Sequence, residues 1–108
     1  MEHVKDLEHF KKISESETAV FMFSADWCPD CRVIEPFLPR VEADFPTFNF
    51  YYVDRDQFID LCGELSIFGI PSFLAYANGQ EVHRFVSKDR KTQEEIEQFL
   101  TEAEAKSV

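Results

Sequence analysis

Two cysteines, Cys28 and Cys31, stand three residues apart in the stretch Trp27-Cys28-Pro29-Asp30-Cys31. A thiolate attacks a disulfide sulfur, and a second thiol one helical turn away can then displace the product from the mixed disulfide. The spacing therefore predicts thiol–disulfide exchange, with Cys28 as the attacking sulfur and Cys31 as the resolving one. We expect Trp27, which precedes the nucleophile, to shield it and to offer a substrate an apolar contact.

The residues on either side of this pair place it at the start of a helix. Residues 19–23 form a continuous apolar run, typical of a strand buried on both faces, and an apolar stripe of helical spacing follows the cysteines. Unpaired N–H groups and the helix dipole would stabilise a Cys28 thiolate at that helix N-terminus. Arg32 favours such a thiolate and Asp30 opposes it, so the reduction potential stays open.

The rest of the chain shows an alternation of helical and strand patterns. Asn78-Gly79 predicts a tight hairpin, and Thr92 with Glu95 forms a capping box before a closing helix. The order indicates one α/β domain over residues 1–108, with a central mixed sheet of about four strands and helices on both faces. The other expected elements are helices over residues 4–13, 33–45 (kinked at Pro36) and 58–66, and strands over 48–53, 72–77 and 81–86.

Composition and charge exclude several classes of partner. The 11 Lys and Arg residues against 21 Asp and Glu residues give a net charge of −10, which repels nucleic acids and anionic membranes. No apolar run approaches the ~20 residues that span a bilayer, and the first residues do not resemble a secretory signal. We therefore expect a cytosolic protein, and a monomer. In that reducing compartment, closely spaced cysteines are more often catalytic or metal-binding than structural.

The cysteine pair could also serve as part of a zinc site or as a structural disulfide. A C-x-x-C pair is half of many zinc sites, but Cys62 and the histidines, the remaining candidate ligands, show no paired spacing. A purely structural bridge would close so short a loop that it would constrain the unfolded chain little. We therefore expect no bound metal. Cys62 lies on an apolar helical stripe and is predicted to be a core residue.

With these residues in view, the chain resembles the thioredoxin family. The resemblance is carried by residues 27–31, by Pro36, by Gly69-Ile70-Pro71-Ser72-Phe73 and by the Asn78-Gly79 hairpin, and it extends from about residue 6 to about residue 100. The inner dipeptide Pro29-Asp30, expected to support the site, resembles a thioredoxin-related branch rather than the usual Gly-Pro.

This resemblance implies a thioredoxin fold and a particular chemistry. The protein would reduce disulfides of proteins or small thiols, with its own dithiol and no other cofactor. Its electrons would come from a separate reductase or a low-molecular-weight thiol. The resemblance also implies a cis peptide between Ile70 and Pro71 that faces the cysteines, with the Ile70 backbone pairing with the substrate chain.

Four features depart from the family pattern. Met22 stands where a buried Asp usually accepts a proton from the resolving cysteine, and Phe50 stands where a Lys usually accompanies it. Residues 85–87 lack the small Gly of the substrate groove. Little sequence precedes the first helix, so we expect the family's extra N-terminal strand to be absent. Our hypothesis is that Asp30, or water, takes over the proton transfer.

Two functional alternatives remain open. The departures favour a thioredoxin-like binding or adaptor domain with a vestigial dithiol, whereas the intact Cys28 and Cys31 favour an enzyme. The second alternative is an oxidant or isomerase, which the expected cytosolic location opposes.

Overall fold

The computed structural model describes all 108 residues of the chain. Four of the five strands of its single sheet are six residues long. None of the helices is long and apolar enough to cross a membrane. The strands are β1 (Glu2–His3), β2 (Ala19–Ser24), β3 (Asn49–Asp54), β4 (Ser72–Ala77) and β5 (Gln80–Phe85). The helices are α1 (Leu7–Ser16), α2 (Pro29–Ile34), α3 (Leu38–Asp44), α4 (Ile59–Glu64) and α5 (Gln93–Lys106).

The sheet is mixed and has the strand order β1-β3-β2-β4-β5. β3 pairs in parallel with β1 and β2, whereas β4 pairs antiparallel with β2 and β5. The predicted α/β class with a mixed sheet is therefore confirmed, with five strands in place of about four.

The N-terminal strand corrects one expectation from the sequence. β1 pairs Glu2 with Tyr51 and His3 with Tyr52, and the Val4 N–H then donates to the Tyr52 carbonyl at 2.9 Å. The prediction that this strand is absent was wrong, because two residues are too few to show an alternating pattern. α1 begins later than predicted, at Leu7, because Asp6 caps it by accepting a hydrogen bond from the His9 N–H at 2.8 Å.

The helix that follows the cysteines is broken rather than merely kinked. α2 ends at Ile34, a 3-10 turn spans Glu35–Phe37, and α3 begins at Leu38. Pro36 and Pro39 lie in the first turns of the two later segments. Proline has no N–H to donate to the preceding turn, so each segment starts where that bond is not needed.

The core lies on both faces of the sheet, because β2 alternates its side chains between them. Phe21 and Phe23 pack with residues of α1 and α4, while Val20 and Met22 pack with residues of α2, α3 and α5. The expectation of helices on both faces is confirmed. Cys62 is buried in the first of these clusters, as its apolar stripe predicts.

Local turn and capping signals give the last third of the chain its shape. Asn78 and Gly79 both have positive φ, 56° and 78°, as a tight hairpin between β4 and β5 requires. Thr92 accepts a hydrogen bond from the Glu95 N–H at 3.1 Å, and the Glu95 carboxylate accepts one from the Thr92 N–H at 2.9 Å. The predicted capping box is therefore present at the start of α5.

Candidate active site

Cys28 and Cys31 lie between the end of β2 and the first turn of α2. Cys28 is the N-cap residue of that helix, and its Sγ accepts a hydrogen bond from the Cys31 N–H at 3.2 Å. Pro29 occupies the first helical position, where its missing N–H costs nothing. The sulfur of Cys28 thus takes the place of a capping oxygen, where backbone N–H groups favour negative charge.

The two sulfurs differ in their surroundings, although both cysteines are free thiols. Cys31 has no exposed surface, whereas Cys28 keeps 4% of its surface exposed. Burial, followed by the hydrogen bond with Cys28, raises the pKa of Cys31 to about 12. Cys31 therefore remains a neutral thiol at neutral pH, and the geometry favours Cys28 as the sulfur that reacts first.

The loop that contains Ile70 and Pro71 covers the sulfur of Cys28. The Ile70–Pro71 peptide bond is cis, and the Ile70 carbonyl oxygen lies 3.9 Å from Cys28 Sγ. The Ile70 side chain packs against the small cluster of Ala25, Cys28 and Cys31. A substrate backbone that pairs with Ile70 would therefore place its own atoms beside the attacking sulfur.

Trp27 forms part of an exposed apolar surface beside the dithiol. The residue is 60% exposed. Its Nε1–H nevertheless donates to the Asp56 carboxylate at 2.6 Å, and the Arg55 guanidinium lies 5.7 Å from the centre of its ring. These contacts fix the orientation of the indole. Phe68, which is 75% exposed, is a second large apolar residue here. A surface pocket of about 230 Å³ is lined by Trp27, Arg55, Ile67, Phe68, Gly69 and Ile70.

The charged residues beside the cysteines are both engaged by other groups. The Asp30 carboxylate accepts a hydrogen bond from Arg90 Nε at 2.9 Å. Arg32 donates from Nη1 to the Asp26 carbonyl at 2.7 Å. The opposing effects expected from Asp30 and Arg32 are therefore moderated by these partners.

Apolar side chains occupy the positions where the family usually has its buried Asp and Lys. Met22 is buried and Phe50 is half-buried, and both pack in the cluster beneath α5. Ser24 follows Met22 by two residues on β2, and its hydroxyl is fully buried and has no hydrogen-bond partner of good geometry. It lies close enough to lower the pKa of Cys31, against the larger effect of burial.

The structure brings together every residue that the sequence assigned to the site and adds others. The dithiol of Cys28 and Cys31 lies beside Trp27 and the loop of Ile70 and Pro71. Pro29 and Asp30 form the first turn of α2. Ser24, Asp56, Phe68 and Arg90 were missed, because their contacts join distant parts of the chain. The position of Phe68, directly before Gly69-Ile70-Pro71, was the one signal available for it. No group of three or more His, Cys, Asp or Glu side chains is arranged to hold a metal ion.

Comparisons with known proteins agree with this geometry. The sequence model of the Thioredoxin family matches residues 1–102. A thioredoxin H-type from Fagopyrum esculentum is 39% identical over 80 residues, which are 73% of this chain and 69% of that protein. Thioredoxin-2 from Dictyostelium discoideum is 35% identical over 83 residues, covering 77% and 94% of the two chains. The crystal structure of thioredoxin from Trypanosoma brucei brucei superposes with a TM-score of 0.82 at 25% identity, over 95% of this chain and 89% of that one.

Proposed function

The chain belongs to the thioredoxin family of thiol–disulfide oxidoreductases, and on that premise we propose that it reduces disulfides in protein or small-thiol substrates through Cys28 and Cys31. The observation that carries the proposal is the asymmetry of the dithiol. Cys28 Sγ caps α2 and faces the Ile70 carbonyl, while Cys31 is enclosed behind it as a neutral thiol.

The reaction consists of two exchanges between sulfurs. The Cys28 thiolate attacks one sulfur of the substrate disulfide, so the substrate S–S bond breaks, a mixed disulfide forms and one substrate thiolate leaves. Cys31 then loses its proton and attacks the sulfur of Cys28. The bond between Cys28 and the substrate breaks, and the second substrate sulfur leaves as a thiolate. Two electrons have passed to the substrate, and the protein retains a Cys28–Cys31 disulfide.

Substrate binding is assigned to the surface beside the dithiol. Trp27, Ile70 and Pro71 would contact the substrate, with the Ile70 backbone as its hydrogen-bonding partner and Trp27 as an apolar wall. Phe68 lines the same pocket as Trp27 and would add to that wall. The exposed aromatic groups favour substrates with an apolar residue near their disulfide.

The remaining parts of the proposal concern the protein's setting. We place it in the cytosol as a monomer that needs no bound cofactor and contributes to cell redox homeostasis. A separate reductase or a low-molecular-weight thiol would return the Cys28–Cys31 disulfide to the dithiol. Net reduction rather than oxidation requires a reduction potential below that of the glutathione pool, which equilibration with glutathione buffers measures.

Single cysteine variants test the proposal directly. Reduction of a model protein disulfide, with dithiothreitol as electron donor, should be lost in Cys28→Ser. Cys31→Ser should accumulate mixed disulfides on Cys28 in a cell extract, because the resolving thiol is missing. Cys62→Ser is the matched control, since that thiol is buried in the opposite cluster, and it should keep full activity. A Cys28→Ser variant as active as the parent protein would instead support the adaptor alternative.

A further inference from the structure

Ser24, the last residue of β2, carries a polar group that the resting protein leaves without a partner. The residue has no exposed surface, and its hydroxyl makes no hydrogen bond of good geometry with any other group of the protein. It is the one buried side-chain oxygen or nitrogen of the chain for which this holds. A hydroxyl that loses its hydrogen bonds to water on folding, and gains none, lowers the stability of a protein. Stability alone therefore gives no reason for a hydroxyl at this position.

The fold places Ser24 beneath α2, on the side of the helix where Cys31 lies. Side chains alternate along a strand, so that of Ser24 lies on the same face of the sheet as that of Met22. Ile34 packs with Met22 on this face, and Cys31, three residues earlier, lies on the same side of α2 as Ile34. Only residues 25–28 separate β2 from α2, so the helix turns back over the end of the strand. Cys31 and Ser24 therefore meet in the layer between the helix and the sheet, where both are fully buried.

The Ser24 hydroxyl favours the ionised form of Cys31. Burial, followed by the hydrogen bond with Cys28, raises the pKa of Cys31, whereas the nearby Ser24 hydroxyl and the Ala25 backbone lower it. Cys28 accepts the Cys31 proton in a hydrogen bond that only the thiol can make, while Ser24 and Ala25 donate to the sulfur and bind it best when it is charged. The phenol of Tyr52, which the same hydroxyl reaches, stays neutral at neutral pH because burial raises its pKa. Of the groups that act on Cys31, Ser24 thus contributes the side chain that stabilises its thiolate.

The resolving attack is the point in the reaction at which this donor is needed. After Cys28 has attacked the substrate, its sulfur is part of a mixed disulfide and carries no charge, so the negative charge develops on Cys31 instead. Met22 and Phe50, at the positions where the family usually has a buried Asp and a Lys, offer that charge no polar group. Catalytic hydrogen bonds are often poorly aligned in a resting site and tighten during the reaction. A donor that gains its partner only in the transition state lowers the barrier, because no bond in the ground state offsets the gain.

We propose that Ser24 is a catalytic hydrogen-bond donor of the resolving step, whose hydroxyl turns to the Cys31 sulfur and stabilises the negative charge which that sulfur acquires. This inference rests on the proposed disulfide reductase function. Ser24 keeps its own proton throughout. The proton of Cys31 passes to water, the Cys31 sulfur bonds to the Cys28 sulfur, and the bond between Cys28 and the substrate breaks. The substrate sulfur leaves with the electron pair of that bond.

A single-turnover experiment separates the two steps of the exchange. Reduced protein is mixed with an excess of an aromatic disulfide that releases a coloured thiolate at each step. The rate of release by Cys28 attack rises with the concentration of the reagent, whereas the rate of release by Cys31 attack does not. All variants are made in the Cys62→Ser background, which removes the third thiol, and urea unfolding measures the stability of each.

Ser24→Ala, which removes only the hydroxyl, should slow the resolving phase about tenfold, as expected for the loss of one hydrogen bond to a charged group. The attack phase should be unchanged, because the N-terminus of α2 stabilises the Cys28 thiolate without Ser24. The same variant should be at least as stable as the parent protein, since the hydroxyl that it loses has no partner in the resting state. This combination of a slower reaction with undiminished stability distinguishes a catalytic hydroxyl from a structural one.

Two other serine variants complete the comparison. Ser24→Thr keeps a hydroxyl and should resolve the mixed disulfide faster than Ser24→Ala. Ser14→Ala is the matched control, because Ser14 is a buried serine of α1, on the other face of the sheet, whose hydroxyl donates to the Lys11 carbonyl at 2.9 Å. This control should leave both phases unchanged.

Three results would overturn the inference. The first is a Ser24→Ala variant whose resolving phase is as fast as that of the parent protein. The second is a Ser24→Ala variant that is less stable than the parent or slows both phases equally, since the hydroxyl would then be structural. The third is a folded Ser24→Thr variant that resolves as slowly as Ser24→Ala. Failure of the proposed function looks different, because the parent protein would then show no release that depends on Cys28.

Discussion

Replacement of Gly69 by Ala tests how closely the segment of residues 87–91 is packed on the active-site loop, which contains Gly69, Ile70 and Pro71. A Cβ at residue 69 would lie 2.5 Å from the Ser87 carbonyl oxygen, and 2.6 Å from both N and Cα of Lys88. The first distance is 0.9 Å shorter than the 3.4 Å at which ordinary contact begins. All three neighbours are backbone atoms, so no side-chain rotation can relieve the overlap.

The expected change in the free energy of unfolding is the balance of two opposing effects. Overpacking of this kind destabilises a protein by about 1–3 kcal/mol. The lower entropy of an unfolded chain with Ala in place of Gly returns about 0.4–1 kcal/mol. The overlap with three backbone atoms puts the overpacking cost in the upper part of its range, so we expect Gly69→Ala to lower the free energy of unfolding by about 1–2 kcal/mol. Disulfide reduction should also slow, because the displaced segment carries Arg90, which binds Asp30.

Urea unfolding of the reduced protein, followed by circular dichroism, measures this change, and the matched control is Gly63→Ala. Gly63 lies inside α4, and a Cβ there would meet nothing within 4 Å. That variant should be stabilised by about 0.5–1 kcal/mol, because Ala is the better helix former. The reasoning is refuted if Gly69→Ala is as stable as the parent protein, since the segment would then move away freely.

Two further predictions concern stability. Burial raises the pKa of Cys31 from 9.0 to about 12. Between pH 9 and about pH 12 the folded protein therefore binds more protons than the unfolded chain, so its free energy of unfolding should fall as the pH rises. The Cys31 thiol accounts for a decline in the free energy of unfolding of at most about 1.4 kcal/mol per pH unit. Urea unfolding from about pH 8 to about pH 11 should therefore show a free energy of unfolding that depends less steeply on pH in Cys31→Ala than in the parent protein. Thr92→Ala should lower the free energy of unfolding by about 1 kcal/mol through loss of the capping box. Thr101→Ala, at an exposed position within α5, should leave it unchanged or raise it slightly in the same assay, because Ala is the better helix former. Equal losses in the two variants would contradict the role of the cap.

Local patterns accounted for the parts of the fold that depend on near neighbours in sequence. The Asn78-Gly79 hairpin, the Thr92 cap and the buried β2 follow from residues within a few positions of one another. The dithiol was identified for the same reason, since its chemistry is set by the spacing within one helical turn.

Features that depend on distant contacts could not be predicted in this way. β1 exists because β3 offers it a free edge, not because two residues favour a strand. Lys91 is one of several charged residues in residues 87–91, and only the folded chain shows that its ammonium is enclosed while Lys88 is exposed. The hydrogen bond between Trp27 and Asp56 joins residues 29 positions apart.

The two edge strands of the sheet, β1 and β5, both have features that oppose pairing with a strand of another molecule. An edge strand with unpaired backbone groups is a template for intermolecular β-pairing and aggregation. β1 offers only two residues for such pairing, and β5 carries Glu81, His83 and Arg84 together with a register irregularity opposite Ala75 and Tyr76. Charge and irregular geometry on one edge, and short length on the other, therefore oppose growth of the sheet from either side.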